Sequence, residues 1–226
     1  SGVSLSLNKA AYSNVRRFLI SDMQVPENAV RLEELMNYYN LLYEPPVSDS
    51  FFKVKSFLAA CPWDASKKLC YIHLSAKKVD LKNVPPGNFV FLIDASGSMD
   101  MPNRLPLIKS AFRMFVSHLR PIDTVSIVTY GGSARIWLPP TSGADAQVIL
   151  NAIESLEPDG DTPGESAIRL AYQMARASYI KGGANRVIIA TDGDFNVGLN
   201  SEEELQNLIV REKTAGIYLT CLGVGV

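Results

Sequence analysis

The chain has little surplus charge of either sign. Its 226 residues hold 22 Lys and Arg against 23 Asp and Glu, for a net charge of −1. Without a basic excess there is no electrostatic footprint for phosphate backbones, so no nucleic-acid partner is expected. Long apolar runs are also missing: none approaches the roughly 18 residues that span a bilayer. The opening Ser1-Gly2-Val3-Ser4 has no basic n-region and no apolar h-region, and reads as the middle of a longer protein. Histidine occurs twice and cysteine three times, with no CxxC pair and no HExxH, which argues against a zinc site. Cys61 and Cys70 flank a short polar turn. They can close a disulfide in an oxidising compartment, though two free thiols beside a hairpin is the simpler reading. Cys221 lies in an apolar run and is expected to be a buried small hydrophobe.

What is present is an ordinary globular composition, 47% hydrophobic and 20% charged. The rhythm changes at Pro85-Pro86-Gly87, which divides a segment 1–86 from a domain 87–226. In the first part, Ala10 to Ile20 has helical periodicity with Val15, Phe18 and Leu19 on one face. Pro26 is expected to start a second helix with Val30, Leu32, Leu35 and Met36 on its apolar side, ending at Pro45-Pro46. Phe51–Leu58 and Leu69–Val79 alternate like half-buried antiparallel strands.

After Pro86 comes Phe89-Val90-Phe91-Leu92-Ile93, continuously apolar as in a strand covered on both faces. Helices are predicted over Leu105–Leu119, Ala144–Leu156, Glu165–Ser178 and Glu202–Ala215. Strands are predicted at Thr124–Tyr130, Ala134–Leu138, Arg186–Ala190 and Ile217–Leu222. This alternation implies right-handed βαβ crossovers. The expected fold is therefore α/β, a Rossmann-like doubly wound, mainly parallel sheet with a small N-terminal α+β appendage. Because Gly225-Val226 follow directly on a strand, a C-terminal helix and strand are expected beyond this sequence.

In such sheets ligands bind beyond the carboxyl ends of the strands, and three polar loops fall at or near such ends. Asp94-Ala95-Ser96-Gly97-Ser98 puts a carboxylate and two hydroxyls at alternate positions of a turn. Asp159-Gly160-Asp161-Thr162-Pro163-Gly164 precedes a helix. Thr191-Asp192-Gly193-Asp194 follows an apolar strand. Together they offer hard oxygen ligands, the set that suits Mg²⁺, Mn²⁺ or Ca²⁺. Ser96, Ser98 and Thr162 can bind directly while Asp94 and Asp192 act largely through water. Such an ion stays under-neutralised and keeps a position open, and a partner protein's carboxylate is the natural ligand for it.

Asp94-x-Ser96-x-Ser98, Thr162 and Asp192, in this spacing and βαβ context, resemble the metal-ion-dependent adhesion site of von Willebrand factor type A (VWA) domains. DxSxS alone is a weak pattern. With an isolated Thr loop and a strand ending in Thr-Asp-Gly it becomes strong. The resemblance covers about residues 87–226. Tyr12-Ser13-Asn14-Val15-Arg16-Arg17-Phe18-Leu19, Val30-Arg31-Leu32-Glu33-Glu34-Leu35, Cys61-Pro62-Trp63 and Ala190-Thr191-Asp192-Gly193-Asp194-Phe195-Asn196-Val197-Gly198 are similar to a bacterial VWA subfamily. That resemblance implies an exported, often lipid-anchored protein of the cell envelope, on its periplasmic or outer-surface side, with a further C-terminal domain. Membrane contact would then come only through a lipid anchor outside this sequence.

Plainer readings stand beside these. Asp94, Ser96 and Ser98 can be a polar turn capping the next helix. Thr162 can be a helix N-cap ahead of Pro163, or cap and ligand together. Asp159 and Asp161 read as loop or capping residues, and Asp194 as a more distant support or a turn residue. Asp192, Asp194, Asn196 and Glu203 fall at positions one, three, five and twelve of an EF-hand loop. Val197 occupies the place where that loop needs Gly, and a strand replaces its leading helix. His73, His118, Trp63 and Trp137 read as structural residues. Met99 and Met101 can either surround the site or pack beneath it.

Three functions compete on the sequence. A metal-dependent protein-binding module is favoured. A phosphotransfer enzyme with Asp94 as nucleophile would need an acid two positions later, where Ser96 stands. A structural domain with an unused ion site is the third. No catalytic residue is expected, and no ATPase motif is present.

Overall fold

A computed structural model of the chain describes residues 8–39, 43–47, 50–80, 83–160, 164–193 and 202–225. The chain divides into two compact units, Ser1–Lys82 and Asn83–Val226. Residues 83–86 go with the second unit for a local reason. The Arg120 guanidinium donates to the carbonyls of Val84 at 2.6 Å and Pro85 at 2.7 Å, and the Ala184 N–H donates to the carbonyl of Pro86 at 2.9 Å.

The first unit contains α1 (Ala10–Ile20), α2 (Leu32–Tyr38) and an antiparallel hairpin of β1 (Phe52–Ala60) and β2 (Lys68–Ala76). Glu34 is buried and ties the helices together: one carboxylate oxygen accepts the Ala11 N–H at 3.0 Å and the other pairs with Arg31. Pro26 does not start α2. It precedes a single 3-10 turn, Glu27–Ala29, after which Val30 and Arg31 turn extended and interrupt the helix. The expected half-burial of the hairpin is also not found. Phe52, Val54, Leu58 and Ile72 are all more than half exposed, because a two-stranded ribbon cannot cover its own faces. Trp63, expected to pack, is 78% exposed in the turn between the strands. Cys61 is buried, Cys70 exposed, and both are free thiols.

Among the described residues the second unit is a five-stranded sheet in the order β5-β4-β3-β6-β7, built from β3 (Gly87–Asp94), β4 (Thr124–Tyr130), β5 (Arg135–Ser142), β6 (Ala184–Thr191) and β7 (Ile217–Gly223). All neighbours are parallel except β4 and β5. The antiparallel strand is at the edge, and its register against β4 shifts at Pro139 and Pro140, an irregularity that accommodates two residues without an N–H to give the ladder. The expected α/β architecture is thus what the chain forms.

Helices α3 (Leu105–Val116) and α4 (Ala146–Glu154) cover one face, around Phe91, Ile93, Val125 and Ile127. Phe91 stacks on Phe112 with ring centroids 4.1 Å apart. Helices α5 (Gly164–Ala177) and α6 (Glu202–Thr214) cover the other face, around Val90, Leu92, Val187 and Ile189. Successive β3 side chains point to opposite faces, so a strand buried on both must be apolar at every position. Cys221 is exposed rather than buried, since β7 is the outermost strand.

β3 leads through α3 to its neighbour on one side, β4. β6 leads through α6 to β7 on the other side, and α3 and α6 lie on opposite faces. The carboxyl ends of β3 and β6 are therefore the switch point of the sheet, where such folds open a crevice.

Candidate metal centre

Asp94 ends β3 and is 1% exposed. An isolated carboxylate at that depth would be costly, and here it collects three donors. Its Oδ1 accepts the Ser96 N–H at 2.9 Å. Its Oδ2 accepts the Tyr130 hydroxyl at 3.0 Å and the Thr191 hydroxyl at 3.2 Å. The parallel register sets Tyr130 directly opposite Asp94. Burial first, and then the Asp94 charge beside it, raise the Tyr130 pKa, although Thr191 works against them. The phenol therefore stays protonated and donating.

The two serines continue outward. Ser96 Oγ and Ser98 Oγ lie 3.0 Å apart, and Ser98 Oγ donates to Asp192 Oδ2 at 2.7 Å. Asp192 follows the end of β6. Its side chain is 2% exposed and pairs with Arg104, whose Nη1 is 2.5 Å from the same Oδ2. Four of the five residues singled out in the sequence, Asp94, Ser96, Ser98 and Asp192, are thus joined in one cluster at the switch point. Gly97, Ser98 and Gly193 are exposed, so the cluster opens to solvent, with half-exposed Met101 close by in the chain. Met99 instead lies fully buried under α3.

Thr162 lies outside the described residues, as do Asp161 and Asp194. The chain just before Thr162 is nevertheless anchored on the Asp94 loop. The Asp159 N–H donates to the Ala95 carbonyl at 2.5 Å, and the Gly97 N–H donates to the Gly160 carbonyl at 3.1 Å. Two glycines make this docking possible. A Cβ on Gly131 would come within 2.4 Å of the Asp159 carbonyl and 2.5 Å of the Ala95 carbonyl. Gly160 has φ +65, the left-handed region.

The donor chemistry suits a hard dication. In a magnesium octahedron with metal–oxygen distances of about 2.1 Å, adjacent ligand oxygens stand about 3.0 Å apart. The Ser96–Ser98 separation equals that edge. Among the described residues no group of three or more His, Cys, Asp or Glu side chains is placed to hold a metal ion. The cluster is instead mixed, with two carboxylates and two hydroxyls.

Sequence reasoning missed Tyr130, saw Thr191 only as a loop residue and not as a partner of Asp94, and missed Arg104. The first two act through strand register, which the sequence does not display. Arg104 left a signal: it is a cation at the N-cap of α3, where helix electrostatics disfavour positive charge. His73, between Tyr71 and Ser75, and His118, bonded to the Met114 carbonyl, are structural, as is Trp137, whose Nε1 donates to the Ala152 carbonyl.

A mainly parallel sheet wrapped on both faces, with a hydroxyl and carboxylate cluster at its switch point, defines a VWA-type domain. Residues 89–194 match the family model described as von Willebrand factor type A domain, and residues 1–71 match one described as von Willebrand factor. The chain belongs to the VWA family, among its bacterial members. It is 40% identical to the uncharacterized protein YfbK of Escherichia coli strain K12, over 98% of this chain and 40% of that protein. The chain therefore spans well under half of that relative. Among solved structures, an aerotolerance-related membrane protein from Bacteroides fragilis superposes with a TM-score of 0.51 at 25% identity, over 62% of this chain and 68% of that one. A manganese-loaded TRAP protein of Plasmodium vivax gives 0.50 at 19% identity, over 62% and 58%, and shares the fold. VWA domains typically mediate protein–protein interaction, in some cases through a metal ion. Among the described residues no helix is long and apolar enough to cross a membrane.

Proposed function

We propose that this chain is a divalent-metal-dependent protein-binding module of the bacterial cell envelope, serving adhesion or scaffolding. Asp94, Ser96, Ser98, Thr162 and Asp192 hold Mg²⁺, or Mn²⁺ or Ca²⁺ in its place. The observation that carries this reading is the convergence of Ser96 Oγ, Ser98 Oγ and Asp192 Oδ2 from two neighbouring strand ends, on a site open to solvent. Two neutral hydroxyls leave the ion electron-poor, so an acidic side chain of a partner protein completes the shell. Asp94 and Asp192 orient ligands and waters from behind. The manganese carried by the TRAP protein and the membrane setting of the Bacteroides protein are in keeping with this reading. Attachment to the membrane is through a lipid anchor outside this sequence.

A nucleophilic Asp94 fits the geometry poorly. The carboxylate is buried, three donors already bind it, and the hydroxyl of Ser96 is not a general acid at neutral pH.

Calorimetric titration of Mg²⁺ and Mn²⁺ into EDTA-stripped protein tests the proposal, with Asp94→Ala and Ser96→Ala alongside. Uptake of one ion by the parent, lost in both variants that still fold, is the expected result. Uptake that persists in both variants would move the ion elsewhere and sink the assignment.

A further inference from the structure

Arg104 is built into the cluster in a way that the metal reading does not require. It stands at the N-cap of α3, where its charge opposes the helix dipole, and its side chain does not cap the helix. Instead Nη1 reaches Asp192 Oδ2 at 2.5 Å and the Ser98 carbonyl at 2.7 Å. Its Nε is buried and has no hydrogen-bond partner among the described residues. The backbone at Gly225, φ +81, closes over that atom so tightly that a Cβ there would come within 2.5 Å of it. A buried donor left unpaired carries a free-energy cost. The side chain is held at Asp192 in spite of that cost and of the helix dipole, and what it gains there is the carboxylate.

We propose that Arg104 is a tethered cation that stands in for the dication in the ion-free protein. This rests on the metal reading above. Asp192 Oδ2 receives both the Ser98 hydroxyl and the guanidinium, so without an ion this carboxylate oxygen is paired within a chain Ser96–Ser98–Asp192–Arg104. A dication held by Ser96 and Ser98, with Asp192 behind it, must break the link to Arg104 or bind beside a fixed positive charge. Arg104 therefore stabilises the empty site and weakens the ion's hold on the filled one. The protein keeps its fold without metal, and its ion affinity is held below what the oxygen ligands alone would give.

The test compares the whole chain with Arg104→Gln and Arg104→Lys, and with Lys213→Gln as a charge control at an exposed residue in the last turn of α6. Mg²⁺ and Mn²⁺ affinities are measured by calorimetry at low and high ionic strength, and thermal midpoints in EDTA and in saturating Mg²⁺. Arg104→Gln is expected to bind Mg²⁺ roughly tenfold or more tightly, with a gain that shrinks as salt rises. In EDTA it should melt several degrees lower, with much of the deficit recovered in Mg²⁺. Arg104→Lys should stay near the parent in affinity, and Lys213→Gln should match the parent in both readouts. Equal or weaker binding by Arg104→Gln, with the parent still taking up its ion, overturns this inference and leaves the metal reading standing. Uptake by Arg104→Gln where the parent takes up none supports it. No uptake by either protein overturns both readings.

Discussion

The hydroxyl of Tyr130 donates to Oδ2 of Asp94 at 3.0 Å from the position directly opposite it in the β3–β4 ladder. The phenol is buried, so the bond forms where water cannot replace it. Tyr130→Phe should keep the fold and lose about 1.5–3 kcal/mol of stability, the range for a hydrogen bond to a charged group. It should also weaken Mg²⁺ uptake several-fold, since Asp94 loses part of its orientation. Urea denaturation and calorimetry read the two effects. A variant as stable as the parent would show that this bond does not hold Asp94.

Gly131 makes a second test. Its missing side chain lets the Asp159 and Ala95 carbonyls approach to where a Cβ would stand. Gly131→Ala must push apart backbone groups that themselves bond to Gly132 and Asp159. A loss of about 1–3 kcal/mol is expected, together with loss of ion binding as the Asp159–Gly160 chain leaves the Asp94 loop. Normal ion binding in this variant would mean that the loop docking is dispensable.

Asp123 should dominate one part of the acid response. It accepts the Gly87 N–H at 2.7 Å at the start of β3 and holds Arg120 through both oxygens. Burial pushes its pKa up, but the Arg120 side chain and the Gly87 and Arg120 N–H groups outweigh that, and the net shift is downward. A carboxyl with a lowered folded pKa stabilises the protein above its unfolded value, near 4, and loses that contribution as pH falls through the folded value. Asp123→Asn should therefore cost about 2 kcal/mol at pH 7, with a gap to the parent that closes below about pH 4. Denaturation series at pH 7, 5 and 3 check it, and a gap that widens in acid would contradict the sign.

Tyr172 offers a change in the other direction. Its hydroxyl is buried without a hydrogen-bond partner among the described residues. Burial, with Glu212 and Cys221 adding to it, pushes the phenol up to about 12. Tyr172→Phe removes an unsatisfied donor and should be neutral or stabilising by about 1 kcal/mol. A clear destabilisation would reveal a water or other partner on that hydroxyl.

Much of this could be read in the order of residues. Continuous apolar character from Phe89 to Ile93 sets β3 as a strand buried on both faces, because alternate side chains need an apolar layer on each side. The alternation of such runs with amphipathic stretches dictates a doubly wound sheet, and the Asp94, Ser96 and Ser98 spacing places oxygens together on one turn. Burial at the margins was less legible. Leu58, Ile72 and Cys221 look like core residues by type, yet they sit on a two-stranded ribbon or an edge strand, and exposure there depends on what lies alongside. Tertiary structure alone decided that Tyr130 faces Asp94, that the Ser98 hydroxyl donates directly to Asp192, and that Arg104 leaves its helix for Asp192. Each of these is a contact across strands or loops far apart in the chain. Local residue types carry the propensity to form an element, but the partner of a buried polar atom is set by register and crossover.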